Sequence, residues 1–161
     1  MRRLALAVIA VSFSFGCHAE LKVKSTPQIC TLLNDTQLRT GEWAIQPDGH
    51  EGCVSGARLI SPGTADTNKI AYSADGTNGI PSRVQLLLYI NLPSDEEMAK
   101  RELVKAAKRL SIRTLGLSTP PSVVESIMKA RPAKLEVGSG SITVTRLASN
   151  KQGYVLAVSM E

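Results

Sequence analysis

The chain has 161 residues, of which 43% are hydrophobic and 20% charged, enough for one domain of ordinary size with a real core. Nineteen Lys and Arg against fourteen Asp and Glu give a formal charge of +5, a mild excess that permits an anionic partner without demanding one. Aromatic residues are only 4% of the chain, too few to supply the stacking platforms of a single-strand nucleic-acid binder, and that class is set aside.

The first nineteen residues read as an export signal. Arg2 and Arg3 form a short positive region, an apolar run follows from Leu4 to Phe15, and small residues lie at Gly16, Cys17 and Ala19. The run is too short to anchor stably across a bilayer core of about 30 Å. Cys17 and Ala19 place small residues at −3 and −1 for a cut before Glu20, which yields a soluble periplasmic or secreted product. The alternative is a lipid-anchored envelope component processed at Cys17; Gly16 suits that cut, whereas Ser14 and Phe15 depart from a lipobox. A membrane partner is expected only in that second case.

Residues 20–26 are polar and lysine-bearing and are expected to form a flexible lead to a single domain over residues 27–161. Pro27 opens a first helical turn. One or two short helices are expected between Pro27 and Thr40, with Asn34 and Gln37 as a cap pair, Gly41 as the stop, and Ile29, Leu32, Leu33 and Leu38 as the apolar side. Cys30 and Cys53 are the two cysteines left once the leader is accounted for. In an exported chain they most simply form one disulfide, since no C-x-x-C is present and His50 is the only histidine of the mature chain. Trp43 falls inside the loop this bridge closes, and reads either as core or as a partner-binding anchor.

"QPDGHEG", 46–52, is a turn by composition and carries Asp48, His50 and Glu51. Strands are expected near Cys53–Ser61 and Lys69–Ser73, with loops at "SPGTADTN" and "ADGTNGIPS". Val84–Leu92 is the best strand. Val84, Leu86, Leu88, Ile90 and Leu92 alternate onto one face, and Leu87 and Tyr89 on the other suggest a central position. The clearest helix begins at Ser94 with a Ser94/Glu97 capping box, buries Ala99, Leu103, Ala106, Ala107 and Leu110, and ends at Gly116. A second helix fits Ser122–Ala130. Strands at Lys134–Val137, Ser141–Ala148 and Tyr154–Met160 follow, linked by the turns "GSGS" and "SNKQG". Strand runs separated by a helical block define an α+β fold: one antiparallel sheet with helices on one face and one disulfide.

Opposite the apolar stripe of the long helix, Arg101, Lys105, Lys108, Arg109 and Arg113 cover an arc of about 140°. This face reads as solvated surface or as a docking face for an acidic partner. The glycines of "GSGS" precede β-branched residues rather than a helix, so they form a hairpin turn and not a phosphate loop. No G-x-S-x-G elbow accompanies the many serines, and His50 lacks a recognisable nucleophile to activate.

"CTLLNDTQL" followed by "EGCVSG" resembles, over about 25 residues, the opening of small actinobacterial lipoprotein domains of uncharacterised function. Those domains have a cysteine, a Leu-Leu pair, a capped short helix and a second cysteine on the first strand. The resemblance supports the Cys30–Cys53 pairing and implies no activity. The expectation is an exported bacterial envelope protein that is not an enzyme, takes no cofactor or metal, and binds another envelope or secreted protein. It would act as an inhibitor or immunity-type protein or as an accessory subunit. Its partner-binding candidates are Trp43, His50, Arg101, Lys105, Lys108 and Arg109. A small periplasmic hydrolase using His50 is the enzymatic alternative.

Overall fold

The structure, a computed structural model, describes residues 20–61, 67–148 and 153–161. The leader with Cys17, part of the loop "SPGTADTN" and most of the turn "SNKQG" lie outside the described residues.

The strands are β1 (Ala44–Ile45), β2 (Glu51–Val54), β3 (Arg58–Leu59), β4 (Lys69–Thr77), β5 (Ile80–Ile90), β6 (Ala133–Val137), β7 (Gly140–Ala148) and β8 (Tyr154–Met160). The helices are α1 (Thr26–Cys30), α2 (Glu96–Thr114) and α3 (Pro121–Met128). The described residues make one antiparallel sheet in the order β1-β2-β4-β5-β8-β7-β6, with β3 paired to β4. This is the α+β architecture expected, with two blocks of strands fused into one sheet.

β5 is central because both of its sides are paired, to β4 and to β8. Val84, Leu86, Leu88 and Ile90 are buried, and face the helices together with Ile70 and Tyr72 of β4, Leu156 and Val158 of β8, and Ile142 and Val144 of β7. Among the described residues no helix packs on the other sheet face. Ser73, Gln85, Ser159 and Thr143 share one row there, and Gln85 Nε2 donates to Ser159 Oγ at 3.1 Å. Leu87, Tyr89, Val155 and the buried Ala71 and Ala157 share that face, so the central strands are apolar on both sides and only part of it is polar.

α2 lies across the centre of the sheet, against β5 and β8. Ala99, Leu103, Ala106, Ala107 and Leu110 are all buried, as their spacing requires. Three alanines in that stripe let the helix approach the strands closely. Its start differs from expectation. Pro93–Asp95 forms a 3-10 turn, Asp95 occupies the N-cap, and Ser94 makes no capping contact to the backbone. Pro93 sets the tighter turn and moves Ser94 out of the cap position. Gly116 takes a left-handed φ of 69° and ends the helix as expected.

Three other local readings are corrected. Residues 20–26 are not a free lead. Leu21 and Val23 are buried in the core, the Glu20 N–H donates to the Ser139 carbonyl at 3.0 Å, and the Lys22 N–H donates to the Thr114 carbonyl at 2.8 Å. The physical reason is strand-like alternation, with Leu21 and Val23 inward and Lys22 and Lys24 outward. The Asn34/Gln37 cap pair does not form either. Residues Asn34–Thr36 are a 3-10 turn closed by Gln37 at φ 63°, so Gln37 and not Gly41 supplies the stop. Finally, "ADGTNGIPS" is mostly strand. Asn78 and Gly79 take φ of 53° and 70° and join Thr77 to Ile80 in a two-residue hairpin whose twist matches its strands.

Two further contacts fasten the N-terminal segment to the sheet. Cys30 of α1 is bridged to Cys53 of β2, with Cα atoms 5.9 Å apart. Tyr72, fully buried on β4, donates its hydroxyl to the Ile29 carbonyl at 2.7 Å. Burial pushes the Tyr72 phenol well above its ordinary range, so it stays a neutral donor. Closing a loop between cysteines 23 residues apart removes unfolded-state entropy equivalent to about 3.5 kcal/mol. Reduction, or the pair Cys30→Ala/Cys53→Ala, is therefore expected to lower urea-unfolding stability by about 2–4 kcal/mol while the native circular dichroism persists. An unchanged midpoint would show that the bridge adds nothing to the fold.

Candidate functional site

Two clefts flank the short helical segment at the start of the domain. The larger has a volume of about 490 Å³ and lies beside the disulfide, between Thr26, Pro27 and Thr31 on one side and residues 40–43 on the other. Its walls are held by the backbone. Thr40 Oγ1 donates to the Cys30 carbonyl at 2.7 Å, Thr40 bridges Ser55 in the sheet, and the disulfide fixes α1 from below. Trp43 stands at the end of this cleft, immediately before β1, half-buried and packed on the rim of the core. Its indole Nε1 is buried and has no hydrogen-bond partner among the described residues. A buried donor without an acceptor costs about 1–3 kcal/mol. Trp43 both packs against the core and lines the cleft.

The second cleft, about 340 Å³, lies between the 3-10 turn, β3 and α2, and Asp35, Arg58, Glu102, Lys105 and Arg109 line it. Its charges are already paired. Arg113 grips Asp35 with both amino groups, at 2.7 and 2.8 Å, and its Nη1 also donates to the Leu32 carbonyl. Arg109 adds a longer contact to Asp35 at 3.6 Å. Glu102 receives Lys105 at 2.7 Å and Arg58 at 3.5 Å. Arg101 pairs with Glu97 at 2.5 Å. Four of the five cations of the α2 face are therefore tied to acids, and among the described residues no ion pair involves Lys108. Two of them, Arg109 and Arg113, hold the 3-10 turn against α2.

His50 sits at the tip of the β1–β2 hairpin, exposed. Its backbone N–H donates to Asp48 Oδ1 at 3.2 Å, and its carbonyl accepts from the Gln46 N–H at 2.7 Å, which closes the turn. Glu51, the first residue of β2, accepts instead from the Gly79 N–H at 2.6 Å, so Asp48, His50 and Glu51 do not converge. No cluster of three or more metal-ligating side chains exists among the described residues.

One polar group was not anticipated from the sequence. Lys100, nearly buried, pairs with Glu96 and donates to the Met128 carbonyl at 3.0 Å, capping the end of α3. Glu96 also accepts from the Tyr154 hydroxyl at 2.6 Å, and Arg146 lies 4.3 Å from the Tyr154 ring centre. Burial alone would raise the Glu96 pKa, but the hydrogen bonds from Lys100 and Tyr154 hold it below the usual carboxylate range. The Glu96/Lys100 spacing of four was the available signal. Tyr154 and Met128 are distant in sequence and gave none.

Comparison with family models, with curated proteins and with solved structures finds no match to this chain. Among the described residues no helix is long and apolar enough to cross a membrane.

The Asp35 carboxyl is held at a pKa of about 2, chiefly by the hydrogen bonds from Arg113; desolvation opposes this, and the charges of Arg113 and Arg109 add to it. Its folded pKa lies below the ordinary 3.8, so the unfolded chain binds the proton more readily. The stabilisation is complete above pH 4 or so and is lost as pH falls through the window from about 4 to about 2. Asp35→Asn should flatten that part of the stability-against-pH curve, measured by thermal unfolding at closely spaced pH values. An identical acid limb in both proteins would exclude this pair as its source.

Proposed function

We propose that this chain is exported and works as a non-enzymatic protein-binding module of the bacterial envelope, holding its partner at the cleft beside Trp43. The observation that carries the reading is the pairing of a partly apolar cleft with a tryptophan whose buried N–H lacks an acceptor among the described residues. Tryptophan is among the residues most enriched at energetic hot spots of protein interfaces. The ring that lines this cleft is the kind of large, rigid surface such an anchor needs. The disulfide supports the rest of the reading, since such bridges belong to compartments outside the reducing cytosol, and it keeps the cleft formed before any partner arrives.

The paired charges on α2 favour Trp43 over the basic helix face as the anchor. Arg101, Lys105 and Arg109 would each have to give up an acid of their own chain to bind an acidic partner. An inhibitor or immunity-type role and an accessory-subunit role both fit, and the identity of the partner separates them.

The native protein, purified from the envelope with gentle detergent, should carry one stoichiometric partner and an intact mass that begins at Glu20 less two hydrogens. Trp43→Ala should lose that partner by about 100-fold or more in affinity, as hot-spot truncations do, with some loss of stability from the ring's packing and with circular dichroism that shows the fold intact. Retention of the partner by Trp43→Ala would move the site elsewhere. A preparation with no partner at all would remove the binding reading.

A further inference from the structure

β6 ends the sheet, and the direction of its free hydrogen-bonding groups can be read from its neighbour. The Ser141 N–H donates to the Glu161 carbonyl at 2.8 Å, and the Glu161 N–H donates to the Ser141 carbonyl at 3.1 Å. Both backbone groups of Ser141 thus point away from β6. Glu136 stands opposite Ser141, so this pair is not hydrogen-bonded; by alternation neither is the pair of Lys134 and Thr143. The N–H and C=O groups of Lys134 and Glu136 therefore point off the edge of the sheet.

This edge is longer and more regular than its counterpart. β6 runs five residues with unbroken register from Ala133 opposite Val144 to Val137 opposite Gly140, whereas β1 at the other edge has two residues. The Lys134 and Glu136 side chains are exposed on the helix-free face, and Leu135 between them is half-buried on the helix side.

We propose that β6 pairs antiparallel with β6 of a second copy of this chain, about a twofold axis through Leu135. That axis sets Lys134 of each copy opposite Glu136 of the other. The same two residues carry the outward backbone groups, so four backbone hydrogen bonds and two opposite-charge pairs form together. Leu135 meets its own counterpart at a close, non-hydrogen-bonded position, and Ala133 meets Val137. Moving the axis to Lys134 or Glu136 places like charges face to face, and moving it by half a step mixes the two faces of the sheet. One register is therefore complementary to itself. A lysine on an edge strand ordinarily repels further strands; here it repels strands that lack a matching acid. The surface lies at the opposite edge of the sheet from Trp43, so it is independent of the partner cleft.

A five-residue edge is small for an interface, so dissociation is expected within about 1–500 μM. The processed protein should show a monomer–dimer equilibrium over that range in sedimentation velocity. Lys134→Glu alone and Glu136→Lys alone should each weaken the dimer by about tenfold or more, because each sets two like-charged pairs in the interface. An equimolar mixture of the two variants should restore it as a heterodimer, and the double variant Lys134→Glu/Glu136→Lys should restore it as a homodimer. Both side chains are exposed, and unchanged circular dichroism and unfolding midpoints would show that the fold is intact. A monomer throughout the range overturns the proposal. So does a dimer that ignores the single swaps, or one that fails to return on mixing.

Discussion

The fold hangs on the pairing of β5 with β8. Seven register pairs, from Val84 opposite Met160 to Ile90 opposite Tyr154, join two blocks of strands that are far apart in the chain. Neither block covers a core by itself. β1–β5 present one half of an apolar floor and β6–β8 the other, and α2 is the helix that lies over the seam. The row Tyr72, Leu86, Val158 and Val144 crosses all four central strands. Such non-local pairing loses loop-closure entropy before it gains packing, so neither block gains its core until the two meet.

Strong period-two and helical patterns were legible because burial decides them. β7, β8 and the α2 stripe fall where their apolar residues place them; β5 does so from Val84 to Ile90 but starts earlier, at Ile80, and ends before Leu92, which is exposed. Errors gathered where a local rule competed with tertiary packing. Leu21 and Val23 looked like part of a polar lead because two lysines and a glutamate surround them, yet two apolar side chains suffice to dock the segment. The Ser94/Glu97 motif matched a capping box, and Pro93 displaced it. Asn78-Gly79 was a hairpin signal hidden by flanking residues that also occur in loops.

The candidate site was legible only in part. Trp43, Cys30 and Cys53 stand close enough in sequence to suggest one neighbourhood. The union of Asp35 with Arg113 spans 78 residues, and no helical wheel reveals it. A wheel displays five cations along α2 as a free basic face. The tertiary structure ties most of them to acids of the same molecule, and two of them fasten a turn. Surface charge read from one helix thus overstates what a partner can meet, because part of the acid that neutralises it comes from elsewhere in the chain.

The docking of Leu21 has a geometric consequence for attachment. Only residues 18–20 separate Cys17 from this core side chain, and an extended chain advances at most about 3.5 Å per residue. A lipid on Cys17 would therefore hold the domain within about 14 Å of the bilayer surface, with the β6–β7 turn at Ser139 beside the anchor. A leash so short would restrict how far the domain could turn from the membrane as well as how far it could stand off.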